Sequence, residues 1–363
     1  MFLAVQEIRF SKWRYALVGG IILLVAYMVF MLSGLAAGLQ TGHTKAIRDW
    51  HADSVVLAQD ANEVFGASQM TQGDLRRVSA GSKSAIGLYQ GSVSRANASN
   101  DKQNVSVFGS AAGSFTTPSV IRGSNYSEQY QVTISQNLAD DGFAIGDRIT
   151  VGNLAHTLTV TGIVPATTYS IVPAIYTSLD TWTELKYGGQ PFASESDKPI
   201  NAIAVRGTIR SLSNPTGKTK LQRLDMATFI DNIPGVSAEQ LTFKGMIGLL
   251  IVITAAIVGM FMYVVTLQKT PVFGVMKAQG IPTRFMARSI VAQAFIIGLT
   301  SIVVAFMLAW LSSLALPSAM PFTADTGQWC VYGVALLLVT VVGGLFSVRT
   351  VSKVDPITAM GEE

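Results

Sequence analysis

Two stretches of this 363-residue chain carry side chains whose types and spacing suit chemistry or docking. The first gathers possible metal ligands. Tyr27, Met28 and Met31 lie in one apolar run, His43 stands just beyond it, and Met246 opens a second run. Phenol, thioether and imidazole groups are side chains that can ligate a metal ion. Met28 and Met31 are three apart, hence near one face of a helix. Two such faces brought together in a dimer would hold a planar apolar ligand. Lys45, Arg76 and Arg77 follow, and are of the type that pairs with carboxylates. The plain alternative for a methionine in such a run is packing. His51 and His156 read as surface residues.

The second stretch is short and sharply punctuated, from Gln268 to Arg284. Thr270 suits an N-cap, and Pro271 fits the first helical position, where no N–H is needed. Gly280 fits the position after the last turn, and Pro282 stops continuation. The helix between them places Val272, Val275, Met276 and Gln279 on one face, with Phe273 beside it and Lys277 in its last turn. A capped, partly apolar helix of this kind docks a partner. A chain reversal alone would need fewer residues.

Other chemistry is missing from the sequence. It has no Gly-x-x-x-x-Gly-Lys-[Ser/Thr] phosphate loop and no Gly-x-Ser-x-Gly elbow. No Cys/His cluster suggests zinc, and the single cysteine, Cys330, rules out an intramolecular disulfide framework.

The elements that must position these stretches belong to a membrane. Only 13% of residues are charged and 49% are hydrophobic, where a soluble chain carries about a quarter charged residues. Four runs, 16–39, 246–267, 290–316 and 331–348, contain no Asp, Glu, Lys, Arg or His. A bilayer core of about 30 Å needs about 20 apolar residues in a helix, and each run meets that scale. The third is long enough to tilt or to project beyond the lipid. The first is too long for a signal-peptide core and lacks a clear cleavage site. Spans without ionisable groups argue against a proton-driven carrier, whose relays need them. No polar stripe lines a channel. The expected cargo is therefore apolar or amphiphilic and enters sideways from lipid.

Charge sets the orientation. Segment 40–244 holds 17 basic and 17 acidic residues, so the remainder holds 26 − 17 = 9 basic and 22 − 17 = 5 acidic, which is the whole net charge of +4. The basic excess flanks the spans at Arg9, Lys12 and Arg14, at Lys269, Lys277, Arg284 and Arg288, and at Arg349 and Lys353. The positive-inside rule then puts both termini and the 268–289 loop in the cytoplasm and 40–244 outside. This excess is a topology signal and gives no support for nucleic-acid binding.

The expected architecture is an α-helical membrane protein with four transmembrane helices and a mixed α/β extracellular domain between helices 1 and 2. Residues 1–15 read as an interfacial amphipathic helix, in which Phe2, Val5, Phe10 and Trp13 interleave with Glu7, Arg9, Lys12 and Arg14. The spans 16–39, 246–267, 290–316 and 331–348 enclose the domain 40–244, the loop 268–289 and a short outer loop 317–330, and 349–363 is a cytoplasmic tail. Within the domain, alternating runs at 104–108, 131–134, 148–151, 157–163 and 201–205 predict strands. Gly146-Asp147 and Gly152-Asn153 mark turns, Thr181–Tyr187 a short helix, 211–220 a loop, and Lys220–Asn232 a second helix.

Several of these stretches resemble the MacB/FtsX-type ABC transporter permeases. Gly274-Val275-Met276-Lys277-Ala278-Gln279-Gly280 is similar to the coupling helix of that family, with its Gly-x-x-[Lys/Arg]-Ala-x-Gly core. Asp355-Pro356 with Ala359-Met360 resembles its C-terminal Asp-Pro-x-x-Ala-Leu signature, with Met360 in place of Leu. Ile134–Leu138 followed by Gly146–Val151 is similar to its outer core domain. The order of span, large outer domain and three spans covers the whole chain. One departure stands out. Pro271 and Phe273 occupy the neighbourhood where the family often has acids ahead of the coupling core, so docking here would rest on apolar burial and Lys277.

The chain lacks the ATPase domain that MacB itself carries, and four spans exclude the ten-span bacitracin type. Its size and layout look most like the HrtB-type haem-efflux permeases. That resemblance implies haem as the transported ligand, no intrinsic cofactor, and no catalysis by this chain. It also implies ATP hydrolysis on a separate cytoplasmic HrtA-like ABC ATPase, a permease homodimer in a two-plus-two complex, and the plasma membrane of a Gram-positive bacterium. It makes Tyr27, Met28, Met31, His43 and Met246 haem-binding candidates, and Lys45, Arg76 and Arg77 propionate-pairing candidates. The coupling residues would be Pro271, Val272, Phe273, Val275, Met276, Lys277, Gln279, Gly280, Asp355 and Pro356. Two alternatives to haem efflux stay open. One is a lipoprotein- or peptide-handling permease. The other is a non-transporting mechanotransmitter that activates an extracellular enzyme.

Overall fold

The computed structural model describes residues 6–7, 10–96, 98–317 and 320–352. In chain order the helices are α1 Lys12–Arg48, α2 Gln136–Asp140, α3 Leu179–Tyr187, α4 Met226–Asp231, α5 Val236–Gln268, α6 Thr270–Ala278, α7 Thr283–Ala315 and α8 Thr326–Ser352. The chain divides into two compact units. One joins Met1–Gly38 to Glu239–Glu363; the other is Leu39–Ala238.

The first unit is helical. Among the described residues, Lys12–Arg48, Val236–Gln268, Thr283–Ala315 and Thr326–Leu345 are long and apolar enough to cross a membrane. A helix is the form that pairs every backbone polar group internally, which lipid requires. Lipid supplies no hydrophobic drive between helices, so close packing of small residues must hold them together. Gly298 of α7 lies against Thr340 and Leu337 of α8, and Gly344 of α8 against Ala294 of α7. Gly343 lets α8 approach α5, where an added Cβ would stand 3.2 Å from the Ala255 carbonyl oxygen. Phe30, Phe306 and Trp329 join α1, α7 and α8 as an aromatic trio with centroids 5.5–5.8 Å apart. Further along α1, Gly34 and Gly38 open a slot for Pro321 and Phe322 of the α7–α8 connection. An added Cβ at either glycine would come within 2.2 Å of that segment, and Thr323 N donates to the Gly34 carbonyl at 3.0 Å.

The second unit is mixed α/β. Its strands are β1 Ser54–Ala58, β2 Met70–Thr71, β3 Val78–Arg95, β4 Ala98–Ser110, β5 Arg122–Gly123, β6 Gln131–Ser135, β7 Arg148–Val151, β8 Leu158–Val164, β9 Thr168–Tyr169, β10 Val172–Thr177, β11 Pro199–Ile200, β12 Ala202–Leu212 and β13 Leu221–Asp225. The main sheet runs β13-β1-β12-β3-β4-β10-β6-β8-β5, and β7 pairs with both β3 and β8. That double pairing closes a ring, β3-β4-β10-β6-β8-β7, in which β4–β10 and β6–β8 are parallel. Val93, Val107, Val132, Ile134, Val151, Val160 and Ile175 are among the side chains of its core. The 18-residue strand β3 belongs to both parts: its first half pairs with β12 in the open sheet, its last residues with β7 in the ring.

One tryptophan fixes the middle of β3. Gly87 and Gly109 are directly paired across β3 and β4, and Trp182 of α3 lies over both. Trp182 is fully buried, with the Lys186 ammonium 5.2 Å from its ring centroid. An added Cβ at Gly87 would stand 2.2 Å from the indole, and at Gly109 2.3 Å from the Trp182 Cβ.

The expected helix over Lys220–Asn232 is corrected. Residues 221–225 are strand β13, paired with β1, and only Met226–Asp231 is helical, capped by the Asp225 carboxylate accepting from Thr228 N at 2.9 Å. Leu221 and Leu224, three apart, are both buried because the sheet is covered on both faces, and they enter different cores. That covering mimics helical spacing.

At the rim of the ring, Glu184 of α3 joins three partners. The Tyr130 hydroxyl donates to it at 2.7 Å, Gln129 Nε2 at 3.2 Å, and His156 Nδ1 lies 2.9 Å away. Burial raises the Glu184 carboxyl, but the bonds from Tyr130, His156 and Gln129 outweigh it and hold the group below its ordinary 4.5. A carboxylate lowered on folding stabilises the protein above its unfolded value, and that stability is lost as pH falls through the folded value. In thermal melts, the wild-type protein is expected to exceed Glu184→Gln at pH 7, with the gap closing once the pH drops below 4.5. A gap that is the same at acid and neutral pH would show that the ionised carboxylate contributes nothing.

Candidate functional site

Helix α6 begins one residue earlier than its sequence suggests. Lys269 is the N-cap and makes no side-chain cap, Thr270 is already helical, and Pro271 follows inside the first turn. Proline is tolerated there because the first turn has no intrahelical acceptors for its N–H groups. The other end is closed by Gly280 at φ +82°, with Ile281 N bonded to Met276 O at 3.0 Å and Gly280 N to Lys277 O at 2.9 Å. This pair of bonds is the Schellman arrangement, which needs the left-handed residue that glycine supplies.

The helix has two distinct faces. Phe273 is only 4% exposed and enters the core of the helical unit with Met262, Val265 and Ile290; Gly274 is buried beside it. Met276 is packed against the same core. Val272 and Val275 are 57% and 46% exposed, and Pro271, Ala278 and Gln279 are exposed with them. Met276 therefore leaves the predicted outward face, and Phe273 is the anchor that fixes the helix. Lys277 is half-buried. Asp355 and Pro356 lie outside the described residues, as do Phe2, Val5 and Arg9 of the expected interfacial helix. Phe10 and Trp13 of that helix are fully exposed.

A polar knot anchors the start of α6. Lys269 Nζ pairs with Glu7 Oε2 at 2.9 Å. The Tyr15 hydroxyl donates to Gln293 Oε1 at 2.7 Å, and Gln293 Nε2 donates to Glu7. Lys269 also reaches the Tyr15 oxygen at 3.4 Å. The knot ties the residue-7 segment, α1, the α5–α6 junction and α7 into one body. The knot therefore links the start of α6 to α1 and α7 by hydrogen bonds as well as packing. Sequence reasoning missed Glu7, Tyr15 and Gln293 in this role, since Tyr15 and Gln293 are 278 residues apart. The available signal was Gln293 itself, an amide inside an apolar run, where polar residues are costly unless partnered.

The donor residues divide. Met28 is 51% exposed and shares an outward stripe of α1 with Leu17 and Leu24. Tyr27 and Met31, four apart, pack against the helical core instead, and the Tyr27 hydroxyl lies 3.1 Å from Ser312 Oγ of α7. The expected common face of Met28 and Met31 is thus split between an outward and an inward side chain. Met246 is exposed on α5. His43 is buried within the α/β unit, and its carbonyl accepts from Ser170 N at 3.3 Å.

The basic candidates divide as well. Lys45 pairs with Asp49 at 3.2 Å, and Arg76 donates to Ser196 Oγ at 2.6 Å. Arg77 is engaged on all sides by its own unit. It is held by Asp74 at 2.8 Å and by the Ser213 and Thr219 carbonyls and the Asn214 amide oxygen, and so braces the 213–219 loop. His156 is engaged with Glu184, and the His51 carbonyl accepts from Arg206 Nε at 3.2 Å.

Residues 244–356 match the family model described as the FtsX-like permease C-terminal domain. Over 99% of both chains, the sequence is 27% identical to a protein named putative hemin transport system permease protein HrtB of Staphylococcus haemolyticus. It is 28% identical, again over 99% of both, to an uncharacterized ABC transporter permease of Mycobacterium tuberculosis. Among solved structures, the periplasmic region of MacB from Actinobacillus actinomycetemcomitans matches 53% of this chain and 97% of its own, at 12% identity and a TM-score of 0.35. The resemblance to MacB/FtsX-type permeases seen in the loop and the tail is borne out by the matched domain, which contains α6.

Proposed function

We propose that this ABC transporter permease of the FtsX/MacB type takes haem, or a similar amphiphile, sideways from the membrane and expels it. A separate HrtA-like ATPase would supply the work. The α6 end would face the cytoplasm, as the basic flanks require, and the α/β unit would lie outside. The relatives named for hemin transport run the full length of the chain and motivate the choice of cargo. The observation that carries it is the outward stripe of α1. Leu17, Leu24 and Met28 present an apolar surface with one thioether at its outer end. Two copies facing each other through this stripe would form an apolar slot with a soft donor on each side.

The mechanism is mechanical. Closure of two ATPases displaces Val272 and Val275, Phe273 carries the motion into the helical core, and the Lys269–Glu7–Gln293–Tyr15 knot passes it to α1 and α7. Cargo leaves because it binds the two states of the α1 slot with different affinity.

The test is a haem titration of the full-length protein in nanodiscs, read at the Soret band. Wild type is expected to give a saturable shifted peak, and Met28→Ala to weaken binding about tenfold, some 1.4 kcal/mol. Met31→Ala, an inward change, should leave the peak position unaltered. A wild-type protein without a Soret shift would remove haem and turn attention to lipoprotein or peptide cargo.

A further inference from the structure

We infer that the cleft between α7 and α8 is a binding site for one anionic phospholipid. The cleft has a volume of about 470 Å³, within the range of about 300–1,000 Å³ common for small-ligand sites. Its walls are apolar: Val291, Ala292 and Phe295 from α7 face Val341 and Leu345 of α8. At its mouth stand Arg284 and Arg288, four residues apart and therefore on one side of α7. Both are exposed, and among the described residues neither makes an ion pair or a hydrogen bond. The loop 268–289 holds no acid that could serve them.

Two guanidinium groups with no carboxylate partner among the described residues, set over an apolar slot, specify the occupant. It needs an anionic head of phosphate type, which arginine binds in a fork, and an apolar tail for the slot. A free phosphate would leave the slot empty. A neutral lipid would leave the second cation unserved. A soluble protein could reach the arginines but not Phe295 and Val341, which lie within the spanning runs. The comparable cleft between α1 and α7, about 460 Å³, has the single cation Lys12 at its mouth and lacks this pairing. Basic pockets between spanning helices on the cytoplasmic side bind acidic headgroups, and anionic lipid is concentrated in that leaflet. The inference takes from the functional reading only the side on which this end of the protein lies.

The bound lipid would wedge α7 against α8 close to the docking helix, so the anionic lipid content of the membrane would tune how firmly α6 is backed.

The experiment is native mass spectrometry of the full-length permease, without haem or ATPase, titrated with phosphatidylglycerol or with phosphatidylcholine of the same chains. One phosphatidylglycerol per chain is expected, held roughly 10- to 30-fold tighter than phosphatidylcholine, as two arginines at a membrane surface would give. Arg284→Gln with Arg288→Gln should equalise the two lipids. Ala292→Phe, which fills the slot without changing charge, should weaken both. Excess inorganic phosphate should not displace the lipid. Equal wild-type affinities, or a preference surviving the double change, would overturn the site. So would a double variant that keeps its lipid preference but alters oligomeric state or ATPase association, which would assign the arginines to a protein interface. A failed haem titration leaves every one of these readouts intact.

Discussion

Replacing Val272 and Val275 together by glutamate is expected to abolish association with the ATPase while the permease stays folded. Both side chains are about half exposed, so the free protein accommodates carboxylates there without losing core packing. In the proposed docked state the same positions would be covered. Each buried valine contributes about 1.5–3 kcal/mol, and a carboxylate in its place must also shed water. A loss of at least about 3 kcal/mol is more than 100-fold in affinity. Co-purification with the ATPase, and stimulation of ATP hydrolysis by the permease, would both fall to background, with the melting temperature unchanged. Unaltered association would mean that α6 is not the docking element. Phe273→Ala should behave oppositely, lowering stability first, because it empties a core position.

Gly87→Val is expected to cost about 3 kcal/mol or more of the stability of the α/β unit. Inserting methyl groups into a packed core ordinarily costs 1–3 kcal/mol, and here the obstruction is close to the limit. The new Cβ would stand 2.2 Å from the Trp182 ring, which is itself fixed between Lys186 and an edge contact with Tyr187 at 6.0 Å. For a unit of this size about 1 kcal/mol shifts the midpoint by roughly 2–4 °C, so a fall of roughly 6–12 °C follows. Gly81 lies on the same strand with open space around its Cα. Gly81→Ala should leave the midpoint within a degree or two, on the order of ±0.5 kcal/mol. A thermal melt followed by tryptophan emission separates the two. Equal midpoints for Gly87→Val and wild type would show that Trp182 can move aside.

The helical unit was legible because its signal is local. Apolar runs of bilayer length without a charge have few other uses, and the Gly280–Pro282 punctuation marks the end of α6 without help from the rest of the chain. Which face of α6 turns inward was not legible. A nine-residue helix with apolar residues on most sides gains its orientation from Met262, Val265 and Ile290, which arrive from other helices. In the α/β unit, the short alternating runs such as 131–134 and 148–151 became strands, while β3 went unseen. Its sequence, rich in Gly, Ser and Ala, alternates weakly because Gly87 and Gly91 make room for the Trp182 and Tyr89 rings. The propionate candidates show the same limit. Nothing near Arg77 in the chain except Asp74 indicates that its other partners are carbonyls and an amide more than 130 residues away.

The closed ring and the open sheet have different timetables during synthesis. Every strand of the ring lies between residues 78 and 177, so the ring can close on the nascent chain once β10 has emerged. Strand β1, made earlier at residues 54–58, pairs only with β12 and β13, which end at residue 225. Val55, Val56 and Leu57, all destined for burial, therefore wait with both edges open while about 145 further residues are translated, and an unpaired apolar edge invites foreign strands. Completing the ring does not end this exposure: β1 stays unpaired until β12 arrives.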